Sequence, residues 1–234
     1  QLNTQSNTLS VIAGSGAGYV DNVPMGQALF RSPVSLWVDE AFNMFVADNG
    51  NCAIRRISLA SDSVITVAGT GNCSLATEPV TDVFASQTLI SSPTAVTGDN
   101  QGNVYFFTSN SQSGYAIGDV ENSRILKRFV GGPNNTEIRP GGSPFSIRLG
   151  SVLACLFNSS SQTLTFADTT HNMLWQVKNP LSFSNSSLSL YGGFIYGVNC
   201  PHNSQLFTGS LSIVIDSSEA LFVADIGKLR ISKV

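Results

Sequence analysis

Ser32-Pro33-Val34-Ser35-Leu36-Trp37-Val38-Asp39, then Asn43-Met44-Phe45-Val46-Ala47-Asp48, then Ile54-Arg55-Arg56-Ile57 form a stretch that the chain repeats. Moved forward by 177 positions, Tyr19 to Ile57 falls without gaps on Tyr196 to Val234. Pro24 lands on Pro201, Asp39 on Asp216, Phe45-Val46-Ala47-Asp48 on Phe222-Val223-Ala224-Asp225, and Ile54 on Ile231. At an offset of 60, Pro33 meets Pro93, Asp39 meets Asp99, and Asn43-Met44-Phe45 becomes Asn103-Val104-Tyr105. At 120, Met44 meets Leu164, Val46-Ala47-Asp48 meets Phe166-Ala167-Asp168, and Ile54 meets Leu174. These offsets define four copies with a period of about 59 residues, and self-similarity on that scale marks a repeat architecture.

Within each copy, apolar runs of about four to six residues alternate with turn residues such as Asp39-Glu40-Ala41-Phe42-Asn43. Runs that short and that rich in Val, Ile, Phe and Leu read as strands, and no segment keeps a helical period over three turns. Val34–Val38 and Leu211–Ile215 are apolar with little alternation, the pattern of a strand covered on both faces. Four-stranded sheets stacked radially, a β-propeller, satisfy these conditions. The expected fold is therefore all-β, with four blades and five or six as the alternative. The copies fall at approximately 19–68, 79–142, 145–193 and 196–234 plus 9–14, within a single domain spanning 1–234. Leu9-Ser10-Val11-Ile12-Ala13-Gly14 matches the strand at Thr66-Val67-Ala68-Gly69, and the last copy reaches Val234 without such a strand. Leu9–Ala13 is thus expected to close the ring beside Ile231–Val234, removing two unpaired edges.

Pro33, Asp39, Asn43, Phe45-Val46-Ala47-Asp48, Asn51-Cys52-Ala53-Ile54-Arg55-Arg56-Ile57 and Val67-Ala68-Gly69-Thr70-Gly71 together resemble the NHL repeat. The second copy departs from that pattern: Phe106-Phe107-Thr108 replaces Val-Ala-Asp, and about eleven residues around Ser109 to Val120 read as an insertion before Asn122-Ser123-Arg124-Ile125. The third has Leu153 in place of the proline. The resemblance implies a propeller, and fold alone does not set function. Some cytosolic NHL propellers bind RNA through a basic face, and secreted relatives include amidating lyases that use several histidines and a metal. Strictosidine-synthase-like propellers use an acidic residue in the channel, and nothing in this sequence singles one out.

The charge balance argues against a polyanionic partner. Twelve Lys and Arg against fifteen Asp and Glu give a net charge of −3, with no cationic excess to drive counterion release. Arg55, Arg56, Lys127, Arg128, Arg230 and Lys233 fall in or beside one motif strand, where a basic rim blunts a sheet edge. At 42% hydrophobic residues the chain is not a disordered one, and no run approaches the length of a membrane span. The start at Gln1 reads as a mature form or a fragment.

Four cysteines, Cys52, Cys73, Cys155 and Cys200, allow three pairings, and no C-x-x-C pair is present. Cys52 precedes one motif strand and Cys73 follows the next, so Cys52–Cys73 is the favoured bridge, leaving Cys155–Cys200. Four sequons, at Asn72, Asn134, Asn158 and Asn185, fall in expected turns or connectors, so N-linked glycans and an extracellular or cell-surface location are expected. Asp48, Asp168 and Asp225 recur at one place in their copies, where an Asp side chain holds a turn by accepting backbone N–H groups. Gly14, Gly16 and Gly18 read as a turn, since no helix follows to meet a phosphate.

The two histidines, His171 and His202, are too few and too far apart for a catalytic metal, and no Gly-x-Ser-x-Gly elbow occurs. No catalytic, cofactor-binding or metal residues are therefore assigned. The expectation is a non-catalytic extracellular glycoprotein propeller that binds other proteins or copies of itself, without nucleic acid or membrane insertion. A charge-poor surface, which repels neighbouring copies little, favours a subunit of a secreted assembly or fibril. The alternative is a secreted propeller lyase or hydrolase with a metal or carboxylate site at the channel mouth.

Overall fold

Asp, Asn and Ser in the turns and β-branched or aromatic residues between them divide the chain into short strands. The computed structural model describes residues 2–3, 8–73, 79–109, 113–118, 124–132, 143–182, 185–192, 211–216 and 220–233. Four short strands come first: β1 (Leu2–Asn3), β2 (Thr8–Leu9), β3 (Gly16–Ala17) and β4 (Leu29–Phe30). The first blade is β5 (Pro33–Val38), β6 (Asn43–Asp48), β7 (Ala53–Ser58) and β8 (Ser63–Gly69). The second is β9 (Pro93–Gly98), β10 (Val104–Thr108), β11 (Ser113–Gly118) and β12 (Ile125–Gly131). The third is β13 (Val152–Asn158), β14 (Thr163–Asp168), β15 (Met173–Lys178) and β16 (Ser187–Gly192). The fourth is β17 (Leu211–Ile215), β18 (Leu221–Asp225) and β19 (Arg230–Lys233). Each blade is an up-and-down antiparallel sheet, and among the described residues there is no α-helix. The chain is an all-β, four-bladed β-propeller arrangement.

The repeat is visible down to its irregularities. A one-residue register shift falls at Ile54/Arg55 in blade one, Gly114/Tyr115 in blade two and Leu174/Trp175 in blade three, at offsets of 60 and 120. That places β11 at the same offset as its neighbours and corrects the expected insertion. Residues 113–118 are the third strand of blade two, hidden in the sequence by Ser-Gly-Tyr-Ala-Ile-Gly, and Ile125 opens the fourth strand. Lys127 and Arg128 consequently lie one strand further out than Arg55 and Arg56.

Blades pack face to face on their apolar residues. Phe45, Ala47 and Ile54 of blade one meet Val96, Val104 and Phe106 of blade two in one dry layer. Phe107 and Phe129 of blade two meet Phe166 and Trp175 of blade three in the largest layer, with Phe107 and Phe166 ring centroids 4.9 Å apart. Ala167 and Leu174 of blade three meet Leu221 and Val223 of blade four. Burial of each such aliphatic or aromatic side chain contributes roughly 1.5–3 kcal/mol, so the layers between blades hold the arrangement together. Gly98 makes one contact possible: a Cβ there would overlap the Trp37 ring, which leans across from blade one.

The expected ring closure is not what the structure shows. Leu9 pairs with Leu2 in a two-stranded ribbon, Ser10–Ala13 lie outside any strand, and the fourth blade has three strands among the described residues. The chain beyond Ala13 is committed to blade one instead. The N–H groups of Gly14 and Ser15 donate to Met25 O and Ala28 O, and β3 pairs in parallel with β4. Ala13, Val23 and Phe30 then pack on Val46, Ile57 and Val64, on the side of blade one away from blade two. Successive innermost strands pack β5 on β9, β9 on β13 and β13 on β17.

Candidate functional site

The recurrent aspartates end strands β6, β14 and β18 and are buried. Asp48 reaches back to the chain entering β5: its Oδ1 accepts Arg31 N at 2.7 Å, and its Oδ2 accepts Asn51 Nδ2 at 2.8 Å. Asp168 does the same in blade three, accepting Gly150 N at 2.9 Å, the backbone N–H groups of Thr170 and His171, and lying 2.7 Å from His171 Nδ1. His171 thus occupies the place of Asn51. Asp225 accepts Lys228 N at 3.3 Å. These carboxylates spend their lone pairs on the chain itself, stapling each blade's second strand to the start of its first or to the following turn. A second acidic series does the same at the opposite turns. Asp39 and Asp99 each hold the Asn four residues on through both its backbone N–H and its side-chain amide, and Asp216 accepts Ala220 N. The Asp-x-x-x-Asn spacing at 39/43 and 99/103 is the sequence signal for this clasp.

Arg55 is not a rim residue. Its guanidinium is fully buried, 4.9 Å from the Tyr19 ring centroid and 5.7 Å from that of Phe30. It donates to Val20 O at 2.5 Å and lies 3.4 Å from Asp21 and 3.5 Å from Asp48. Opposite charge and aromatic faces together offset the desolvation of that cation, and they lock the connector 19–31 onto blade one.

Cys52 and Cys73 form a disulfide with Cα atoms 5.3 Å apart. Cys155 is a free thiol packed against the layer between blades two and three, and burial pushes its ionisation well up. Its expected partner Cys200 lies outside the described residues, as do Asn134 and His202. Asn72 and Asn185 are exposed, whereas Asn158, at the end of β13, is half-buried and accepts Ser161 N through its side chain. Gly14 and Gly18 take positive φ in the turn read from the sequence. Among the described residues no group of three or more His, Cys, Asp and Glu could hold a metal ion.

Clefts open between consecutive blades at the turns held by Asp39 and Asp99. The first, roughly 260 Å³, lies between Trp37, Glu40 and Asn100. The second, roughly 550 Å³, is rimmed by Gln101, Asn103, Gln162, Asn179 and Ser182. At its base Tyr105 stacks on Phe157 at 5.3 Å and donates to Asp99 at 3.1 Å. Burial, and then the neighbouring Asp99 carboxylate, push the ionisation of the Tyr105 phenol far above its ordinary range.

The most unusual surface is apolar. Strands Val34–Val38 and Leu211–Ile215, read above as covered on both faces, are covered on one. Ser35 and Trp37 turn toward blade two, while Val34, Leu36 and Val38 are exposed on the other face of β5. On blade four, Ile213 packs against blade three while Val214 and Ile231 are exposed. Among the described residues no blade stacks on these faces of blades one and four, and only part of the former is covered by residues 13–30.

By sequence, no family profile and no curated protein matches the chain. By structure it is similar to a chain of a nidogen/laminin complex, with TM-score 0.58 and 11% identity over 89% of this chain and 62% of that one. It is also similar to an auxiliary nutrient binding protein from Bacteroides thetaiotaomicron, with TM-score 0.60 and 11% identity over 89% of this chain and 48% of that one. A catalytically inactive virginiamycin B lyase from Staphylococcus aureus, solved with quinupristin, matches with TM-score 0.52 and 12% identity over 87% of this chain and 52% of that one. The chain spans about half to three fifths of the length of these neighbours. At such identities the likeness is one of fold, and the fold it shows is the β-propeller.

Proposed function

We propose that this chain is a non-catalytic, extracellular, N-glycosylated propeller of NHL type that binds other proteins in a secreted or cell-surface assembly. The observation that carries the reading is the uncovered sheet of blade one, where Val34, Leu36 and Val38 stand side by side in water. Contiguous apolar surface of that kind is costly to leave exposed and marks a protein contact. The disulfide Cys52–Cys73 and the exposed sequons at Asn72 and Asn185 support an oxidising, secretory location. A nidogen/laminin complex and a nutrient-binding protein among the structural neighbours support binding as the use of the fold.

The test places a photo-crosslinking residue at position 36, with exposed Lys178 as the control position. The protein secreted from its native cells is expected to form covalent protein adducts from position 36 and few from 178. Absence of adducts at 36 refutes the reading, and an unchanged mass after N-glycosidase treatment refutes the glycan part of it.

A further inference from the structure

The cleft between blades two and three differs from its neighbours in chemistry. It opens at the β9–β10 turn on one side and at the β13–β14 and β15–β16 turns on the other, and its roughly 550 Å³ falls within the range of small-molecule sites. Its lining offers no free charge. Asp99, the one carboxylate, is 4% exposed and accepts Gln101 N, Asn103 N, Asn103 Nδ2 and the Tyr105 hydroxyl at 2.9, 3.1, 2.7 and 3.1 Å. Among the described residues no lysine, arginine or histidine lines the cleft. What remains is neutral: Gln101, Gln162, Asn179, Ser182 and Asn185, with Tyr105 at the base. Amides and hydroxyls both donate and accept, so this rim matches an uncharged ligand that carries many hydroxyl and amide groups.

The repeat does not require these residues. Asp99, Asn103 and Tyr105 stand where blade one has Asp39, Asn43 and Phe45, as the clasp and the core demand. Gln101, by contrast, stands where blade one has Ala41, and Gln162 where blades one and two have Phe42 and Gly102. Asn179 suits its left-handed turn at φ 49°, whereas a glutamine at φ 53° has no such preference. Gln162 gives one amide N–H to Ser159 O at 2.8 Å and keeps its carbonyl oxygen. The adjoining clefts are different. That between blades one and two is lined by Trp37, Phe45 and Glu40 and carries no sequon. That between blades three and four includes the sequon Asn158, but it holds only roughly 250 Å³ and the Asn158 side chain is engaged with Ser161 N.

Asn185 identifies the occupant. It lines the larger cleft, is exposed, and opens the sequon Asn185-Ser186-Ser187. An N-linked glycan begins with N-acetylglucosamine units, which are uncharged and carry the hydroxyl and acetamido groups that the rim can meet. We propose that the cleft holds the first sugars of a glycan carried on Asn185. The proposal rests on the reading of that asparagine as glycosylated, and it gives the glycan a seat. Attachment at the rim makes docking intramolecular, so contacts too weak to retain a free sugar suffice. The seated stem bridges Gln101 of blade two to Ser182 of blade three across the cleft.

The full chain secreted from a eukaryotic host tests it beside Ser187→Ala, which removes the sequon and keeps Asn185. Both are made with the native rim and with Gln101→Ala plus Ser182→Ala. Glycopeptide mass spectrometry should find Asn185 occupied wherever Ser187 is present. With the native rim, loss of the glycan should lower the melting temperature by about 2–4 °C, the effect of about one net hydrogen bond in a chain of this size. With the altered rim the loss should be less than about half as large. Free N,N′-diacetylchitobiose separates the chain's own glycan from a sugar in solution. In saturation-transfer NMR it should give signals with Ser187→Ala and lose them with the glycosylated wild type, whose cleft is filled. Asn185→Gln repeats the glycan-free arm should Ser187→Ala misfold, and Gln101→Ala alone repeats the altered rim. An unoccupied Asn185 ends both the inference and the glycan reading at that site. With Asn185 occupied, an unchanged melting temperature, equal losses in both rims or equal chitobiose signals would each overturn the inference and leave the glycan reading standing.

Discussion

Removing the Asp48 carboxylate tests whether the recurrent aspartates hold the blades. Asp48→Ala takes the acceptor from Arg31 N and Asn51 Nδ2 and leaves the buried Arg55 guanidinium without its buried anion. Asp21 remains 3.4 Å away, but its side chain is 39% exposed, so water screens it and it replaces little of the loss. Breaking one partner of a buried charged pair costs about 3–5 kcal/mol. In a chain of this size that lowers the melting temperature by roughly 2–4 °C per kcal/mol. Asp48→Asn keeps an acceptor for Arg31 N and should lose less. In an Arg55→Met background, which keeps packing between Tyr19 and Phe30 without the cation, Asp48→Ala should cost at least about 1.5 kcal/mol less than in wild type. Urea unfolding followed by tryptophan fluorescence gives all four corners of this cycle, and equal slopes confirm a shared unfolded state. A loss below about 1 kcal/mol for Asp48→Ala, or the same loss in both backgrounds, would refute the staple.

Three further outcomes follow from other sites. Gly98→Ala drives a methyl group into the Trp37 ring and should destabilise by about 1–3 kcal/mol in the same urea assay, with wild-type stability counting against the interlock. Replacing Cys52 and Cys73 together by serine opens a loop with a sequence separation of 21 and should cost about 3 kcal/mol under oxidising conditions, vanishing when both proteins are reduced. Because the Tyr105 phenol ionises far more reluctantly folded than unfolded, its contribution is complete below the ordinary tyrosine range near pH 10 and falls as pH rises above it. Melting temperatures between about pH 9 and 11.5 should therefore drop more steeply for wild type than for Tyr105→Phe, and parallel curves would contradict the burial argument.

The repeat could be read from the chain because packing between blades demands the same residue at the same depth in each. Phe45, Tyr105 and Phe222 each stand at one repeat position, as do Ala47, Ala167 and Ala224, and a periodic pattern survives wherever that demand is periodic. Strand three of blade two escaped notice because its register shift and the crowding of Phe107 and Phe129 require Gly114, so a strong strand signal is replaced by Ser-Gly. The buried role of Arg55 was not legible either, since a cation on a strand reads as exposed until the chain brings Tyr19 and Phe30 over it. The ring closure failed for a related reason. Leu9–Ala13 carries the residues of an outer strand, yet the backbone bonds of Gly14 and Ser15 to Met25 and Ala28 hold the following chain against blade one.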